Sequence, residues 1–156
     1  MSVKEGAKAP KIELADDQGN AFKLSTLNGK TVILFFYPKA DTPGCTMEAC
    51  EFRDAEPVFV KSNTVILGIS PDDAKAQMKF KTKFGLPYTL LCDTDHAVAV
   101  AYEVWKEKSM YGKKYMGIER TTFIIDAAGN IAKIFAKVKP EGHAAQVLAV
   151  LESMAG

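Results

Sequence analysis

The chain has 156 residues, 47% hydrophobic and 25% charged, the balance of an ordinary globular protein able to bury one sizeable core. A formal net charge of +1 excludes a global field that would gather nucleic acid or an anionic membrane. No apolar run nears the roughly 18 residues of a membrane span. Met1 to Gly6 lacks the basic and apolar regions of a secretory signal, so the expected address is cytoplasmic.

Taken in order, Ile12 to Ala15 and Ala21 to Leu24 flank a polar turn and predict an N-terminal hairpin. Ser25 to Gly29 reads as a turn or short helix. Thr31 to Tyr37 is apolar without alternation, as a strand buried on both faces should be. A helix is predicted from near Cys45 past Phe52, with Pro57 kinking it or starting a second segment and Val58, Phe59 and Val60 packing inward. Thr64 to Ser70 is a second buried strand, and Ser70-Pro71-Asp72-Asp73 caps a helix that stops at Gly85. Its lysines, Lys75, Lys79, Lys81 and Lys83, lack the aromatic interleaving of a nucleic-acid surface and read as a solvated face.

Tyr88 to Cys92 is a third strand, and Asp93-Thr94-Asp95 caps a helix to about Tyr102. Trp105 to Gly117 has no clean periodicity and reads as a long loop, a candidate wall of a functional site. Ile118 to Ile125 and Ile131 to Ala136 form a second hairpin about Gly129-Asn130. Glu141 to Met154 is a closing amphipathic helix with Val147, Leu148, Val150, Leu151 and Met154 on its apolar side. No repeat or linker interrupts the chain, so residues 1–156 read as one domain. This order predicts an α/β thioredoxin-like sandwich: a central mixed sheet flanked by helices, with an N-terminal β-hairpin. A flavodoxin-like sheet would not place an antiparallel hairpin near the end.

The stretch with chemistry in it is Pro38-Lys39-Ala40-Asp41-Thr42-Pro43-Gly44-Cys45-Thr46-Met47-Glu48-Ala49-Cys50. A free thiol with a pKa of about 8.5 is only ~3% thiolate at neutral pH, and the thiolate is the nucleophile. At a helix start, unpaired backbone N–H groups and the dipole favour negative sulfur. Lowering such a pKa to around 6 takes ~3.4 kcal/mol, of which the dipole supplies about 0.3–2. A further positive contributor is therefore expected. Arg120, alternating with Ile118, Thr122 and Ile124, is the candidate, since an inward arginine needs an anion; a strand-end arginine turned to solvent is the plainer alternative. Thr42 lies three residues before Cys45, within reach of the sulfur or a bound oxygen, and Pro38 fixes the chain as it leaves the strand.

The chain has three cysteines, Cys45, Cys50 and Cys92, too few and too odd a number for a structural disulfide framework. Five residues of helix separate two Cα atoms by roughly 8–9 Å, beyond the reach of a disulfide while the helix is intact. That spacing suits a Cys50 that resolves an oxidised Cys45 after the first turns unwind; a buried helical Cys50 without a redox role is the plainer alternative. A zinc site from Cys45, Cys50, Cys92 and His96 has loose spacings and is disfavoured. His96 and His143 fit no cysteine-hydrolase signature, and no glycine-rich phosphate loop implies a nucleotide cofactor.

Pro38-x-x-x-Thr42-x-x-Cys45, extended through Thr46, Glu48, Ala49 and Cys50, resembles the active-site signature of peroxiredoxins. With Lys108 to Asp126 and with Gly6, Ala9 and Pro10, the chain is similar to the bacterioferritin comigratory protein / peroxiredoxin Q group over nearly its whole length. The resemblance implies a thioredoxin fold and reduction of hydrogen peroxide and organic hydroperoxides without metal or flavin cofactor. It implies Cys45 as the peroxidatic cysteine, with Arg120, Thr42 and the N–H groups of Gly44 and Cys45 around the peroxide. It also implies a Cys45–Cys50 disulfide reduced by thioredoxin or a similar dithiol, and a monomer. Some members carry the resolving cysteine on the next helix; Met78 to Phe84 holds none. A thioredoxin-type disulfide oxidoreductase is disfavoured by the missing Cys-x-x-Cys, and a non-catalytic redox sensor or chaperone is the alternative from another class.

Overall fold

The computed structural model describes residues 3–155. After β1 (Glu13–Asp16) and β2 (Ala21–Lys23), a 3-10 turn (Leu24–Leu27) leads into β3 (Thr31–Phe36). Then come α1 (Pro43–Lys61), β4 (Thr64–Ser70), α2 (Ala74–Phe84), β5 (Thr89–Cys92), α3 (Ala97–Ala101), β6 (Trp105–Met110), β7 (Lys113–Ile118), β8 (Thr121–Ile125), β9 (Ile131–Phe135) and α4 (His143–Ala155).

Seven strands form one sheet in the order β2-β1-β5-β4-β3-β8-β9. β3, β4 and β5 are mutually parallel, and β1 and β8 pair antiparallel at either side of that trio. This is the expected thioredoxin-like sandwich, and the antiparallel flanks rule out the doubly wound rival. β3 is an interior strand, between β4 and β8, with no polar face because helices cover both sides. Ile33, Phe35 and Tyr37 enter a core with Phe52 and Phe59 of α1, Phe80 of α2 and Val147 and Leu151 of α4. Val32, Leu34 and Phe36 enter the opposite core with Val98 and Ala99 of α3, Ile12 and Phe123. Two apolar layers on one strand place its C-terminal end, where Pro38 begins, on a rigid support.

The ends are set by local chemistry. Asp73 accepts a hydrogen bond from the Ala76 amide at the start of α2, and Gly85 stops it in the left-handed region at φ 61°. Asp93 accepts from the Val98 and Ala99 amides (3.1 and 2.8 Å), capping α3.

Three expectations need correction. Trp105 to Gly117 is not a loop: β6 and β7 form a separate two-stranded ribbon, turned at Tyr111-Gly112 with positive φ at both (52° and 78°). It hides its strand character because most of it is exposed on both faces, so no alternation is written into it. Pro57 starts no second segment: α1 is one helix from Pro43 to Lys61 with an exposed Pro57 inside it. Of its neighbours only Phe59 packs inward, while Val58 and Val60 are exposed. In α4 Met154 likewise faces solvent, although Val147 and Leu151 are buried.

Candidate active site

β3 delivers the chain through buried Tyr37 into Pro38-Lys39-Ala40-Asp41-Thr42, which turns through a left-handed Asp41 (φ 60°). Three ties hold this loop. The Ala40 amide donates to Asp72 Oδ2 (2.7 Å), the Lys83 ammonium pairs with Asp41 (2.9 Å), and the Thr42 hydroxyl donates to Lys39 O (2.9 Å). Behind them Ser70 Oγ donates to the same Asp72 oxygen (2.6 Å), and Gln77, which accepts from the Tyr37 hydroxyl, donates to Ser70 Oγ (2.9 Å). The expected caps of α2 thus divide their work: Asp73 caps, and Asp72 turns away to the loop.

Thr42 is the extended N-cap residue of α1 (φ −97°, ψ 156°), Pro43 occupies the first turn, and Gly44 and Cys45 follow. Their amides belong to the first turn, whose N–H groups have no partner within a helix. The Cys45 side chain is buried there, at 1% exposure. Arg120 lies just past the end of β7 and just before β8, rather than inside a strand as its alternation predicted. Its Nη2 donates to Cys45 Sγ at 3.4 Å, and its Nη1 donates to Glu48 Oε1 at 2.8 Å. Burial works against the guanidinium's charge, but Cys45 and Glu48 outweigh it and hold its pKa above the usual arginine value.

Gly44 is small for a local reason. A Cβ there would sit 3.2 Å from Arg120 Nη2 and 3.6 Å from Pro140 Cγ. The Val138 amide donates to Arg120 O (2.9 Å), so the segment leading to α4 braces the arginine and crosses the start of α1.

Glu48 is fully buried, and its Oε2 is the one buried side-chain polar atom without a partner among the described residues. Burial raises its pKa to about 7 despite the opposing pull of Arg120. A carboxyl that takes up a proton at neutral pH is therefore one turn above Cys45.

Cys50 is half-buried on the same helix, and burial pushes its thiol up, against Arg53. All three cysteines are free. Tyr88 clamps the helix between Cys45 and Cys50, its hydroxyl donating to Ala49 O at 2.6 Å. Cys92 lies elsewhere, at the end of β5, its thiol donating to Asp16 O (3.5 Å) and pushed up to about 11 by burial and by Asp17 and Asp16. Among the described residues no group of three or more His, Cys, Asp or Glu is placed to hold a metal ion.

A thiol at a helix start, an arginine on its sulfur and a proline-bounded loop beside it form a compact nucleophile site. The model of the AhpC/TSA family matches residues 6–134. Peroxiredoxin Bcp of Bacillus subtilis is 49% identical over 154 residues, covering 99% of this chain and 98% of its own. This chain belongs to the AhpC/TSA family, as a peroxiredoxin. Peroxiredoxin Bcp of Escherichia coli is 43% identical over 141 residues, 90% of each chain. Among solved structures, the Xanthomonas campestris bacterioferritin comigratory protein, studied for alkyl peroxide reduction, superposes with a TM-score of 0.89 at 39% identity, covering 93% of this chain and 92% of its own. A Xylella fastidiosa PrxQ mutant superposes with a TM-score of 0.95 at 33% identity, covering 100% and 99%. The peroxiredoxin is accordingly a thiol peroxidase of the Bcp/Q group.

The structure brings Cys45, Gly44 and Arg120 of this peroxiredoxin together, sets Thr42 at the cap of the same helix and Pro38 at the head of the loop that leads to it, and leaves Cys92 out. Sequence reasoning passed over Glu48, Asp72, Lys83 and His143. Glu48 had a signal: three residues after Cys45, it shares the buried face of α1. His143 is buried; its Nδ1 lies 2.9 Å from Gln146 Oε1 and its Nε2 2.8 Å from Thr122 Oγ1, and burial pulls its pKa down, which fits a neutral ring donating from Nδ1 and accepting at Nε2.

Proposed function

We propose that Cys45 is the nucleophile with which this peroxiredoxin reduces hydrogen peroxide and organic hydroperoxides, and that Cys50 resolves it. The observation that carries the reading is the Arg120 Nη2 to Cys45 Sγ contact of 3.4 Å at the start of α1. The thiolate attacks the terminal oxygen of R–O–OH; an S–O bond forms, the O–O bond breaks, and sulfur is oxidised by two electrons to sulfenic acid. The alkoxide or hydroxide leaves and takes a proton to become alcohol or water. Arg120 faces the charge on sulfur and then the charge growing on oxygen, as do the free N–H groups of Gly44 and Cys45. Thr42 has given its own proton to Lys39 O, so its oxygen is open to accept the O–H of a peroxide. Pro38 walls the sulfur from bulk water.

The Cys50 thiol next condenses with the sulfenic acid, expelling water and forming a disulfide. α1 is intact between the two cysteines, so its first turns must unwind before the sulfurs meet. A thioredoxin-type dithiol then returns both thiols, so the sum is hydroperoxide plus dithiol to alcohol, water and disulfide. No flavin, metal or other cofactor enters this scheme. In this reading the protein works as a single-domain monomer in the cytoplasm. Steady-state peroxide consumption coupled to thioredoxin, thioredoxin reductase and NADPH tests the reading. Wild type turns over and Cys45→Ser does not; turnover by Cys45→Ser would overturn the assignment.

A further inference from the structure

The β6–β7 ribbon carries a lysine, Lys108, within electrostatic reach of Arg120 and Cys45. In its register Lys108 stands opposite Tyr115, and Lys106 opposite Gly117. These residues share one face of the ribbon, since directly opposed residues point the same way and alternate pairs repeat. The Lys108 stem lies across Gly117: a Cβ there would meet Lys108 Cδ at 3.3 Å and Cε at 3.6 Å, with the Tyr115 ring at 3.4 Å. Without a side chain, Gly117 thus forms a floor between a lysine stem and an aromatic edge, three residues before Arg120.

Lys108 feels the charges of both Arg120 and Cys45, and burial, then Arg120, lowers its pKa against the pull of Glu119 and Cys45. Arg120 is already engaged by Cys45 and Glu48. Lys108 makes no hydrogen bond or ion pair among the described residues. It is a half-buried ammonium with donors to spare, within electrostatic reach of Cys45, and next to it Tyr115 is 43% exposed. A flat apolar edge with a cation at its end matches a substrate of the same build.

We propose that Lys108 determines specificity by receiving an anionic group on the substrate, so that hydroperoxides carrying a carboxylate are preferred over their neutral counterparts, the organic part resting on Tyr115 and Gly117. The inference rests on Cys45 as the peroxidatic cysteine. It adds no chemical step, only a contact to the part of the substrate that does not react.

The test compares p-carboxycumene hydroperoxide with its methyl ester on wild type and on Lys108→Gln, Lys108→Arg and Lys108→Glu. The wild-type ratio of kcat/KM, acid over ester, is expected at about fivefold, carried by KM, as for one partly screened ion pair. Lys108→Gln brings the ratio to about one, Lys108→Arg keeps it, Lys108→Glu inverts it, and added salt lowers it in wild type. Because the readout is a ratio within each variant, a general loss of activity does not imitate it. A wild-type ratio of one, or a ratio unchanged in Lys108→Gln, would overturn the proposal while ester turnover keeps the peroxidase reading intact. If wild type consumes neither compound, this proposal falls, and the Cys45 reading falls with it only where hydrogen peroxide is not consumed either.

Discussion

Arg120 grips Cys45 and Glu48 with the two arms of one guanidinium, Nη2 at 3.4 Å from the sulfur and Nη1 at 2.8 Å from the carboxylate. The planar fork lets one residue hold both while fixing its own orientation. Replacing Arg120 by Met should lower kcat/KM for hydrogen peroxide by about 10²–10³, the usual cost of one donor to developing charge. Arg120→Lys should recover only part, because a point charge cannot serve both partners in that geometry. Stopped-flow peroxide consumption reads both; a Lys variant equal to wild type would contradict the fork.

Glu48 makes stability depend on pH with a definite sign. Its folded pKa of about 7 lies above the ordinary 4.5, so between these values the folded state holds a proton that the unfolded state has released. Stability is therefore fullest below 4.5 for this group and falls as pH rises to about 7, by roughly 3 kcal/mol at most. His143 works the other way: its pKa is pulled below the ordinary 6.5 by burial, and its contribution is lost as pH falls below that value. Urea unfolding from pH 5 to 8 should show Glu48→Gln with a flatter or rising profile relative to wild type. An identical slope in the two proteins would place the titration elsewhere.

Gly44 gives the guanidinium its room. Gly44→Ala should leave stability within about 1 kcal/mol, because the neighbours shift by tenths of an ångström. It should cost about tenfold in kcat/KM by pushing Arg120 off the sulfur. Thermal unfolding and peroxide kinetics on the same preparation separate the two effects; wild-type kinetics would show that the contact at Gly44 is slack.

Tyr88 latches the helix that the proposed Cys45–Cys50 disulfide requires to open. Its hydroxyl bond to Ala49 O lies between Cys45 and Cys50, so Tyr88→Phe should ease unwinding by about 1 kcal/mol and speed disulfide formation about fivefold. Rapid acid quench after one equivalent of peroxide, followed by thiol counting, gives the rate. A slower disulfide in Tyr88→Phe would mean that Tyr88 guides the closed geometry rather than restraining it.

Much of this site could be read from residue types because burial leaves few choices. An apolar β3 flowing into Pro38 and a cysteine at a helix start fix the nucleophile's setting, and an arginine among apolar residues demands an anion. The ribbon of β6 and β7 could not be read, since it pairs with nothing but itself and exposes both faces. Lys108 was hidden with it. Asp72 misled in another way: beside Asp73 it looks like a helix cap, yet its oxygen accepts from Ala40 and Ser70, a contact set by how β4 and the loop after β3 end side by side.

In the proposed cycle Cys45 and Cys50, separated by intact helix, meet at every turnover. Peptide mapping under non-reducing conditions after one equivalent of hydrogen peroxide tests it directly. One intramolecular bond should join the Cys45 and Cys50 peptides, with Cys92 still a thiol, and Cys50→Ser should show a single oxidation at Cys45 that goes no further. A Cys45–Cys92 bond, or undiminished thioredoxin-coupled turnover by Cys50→Ser, would contradict it.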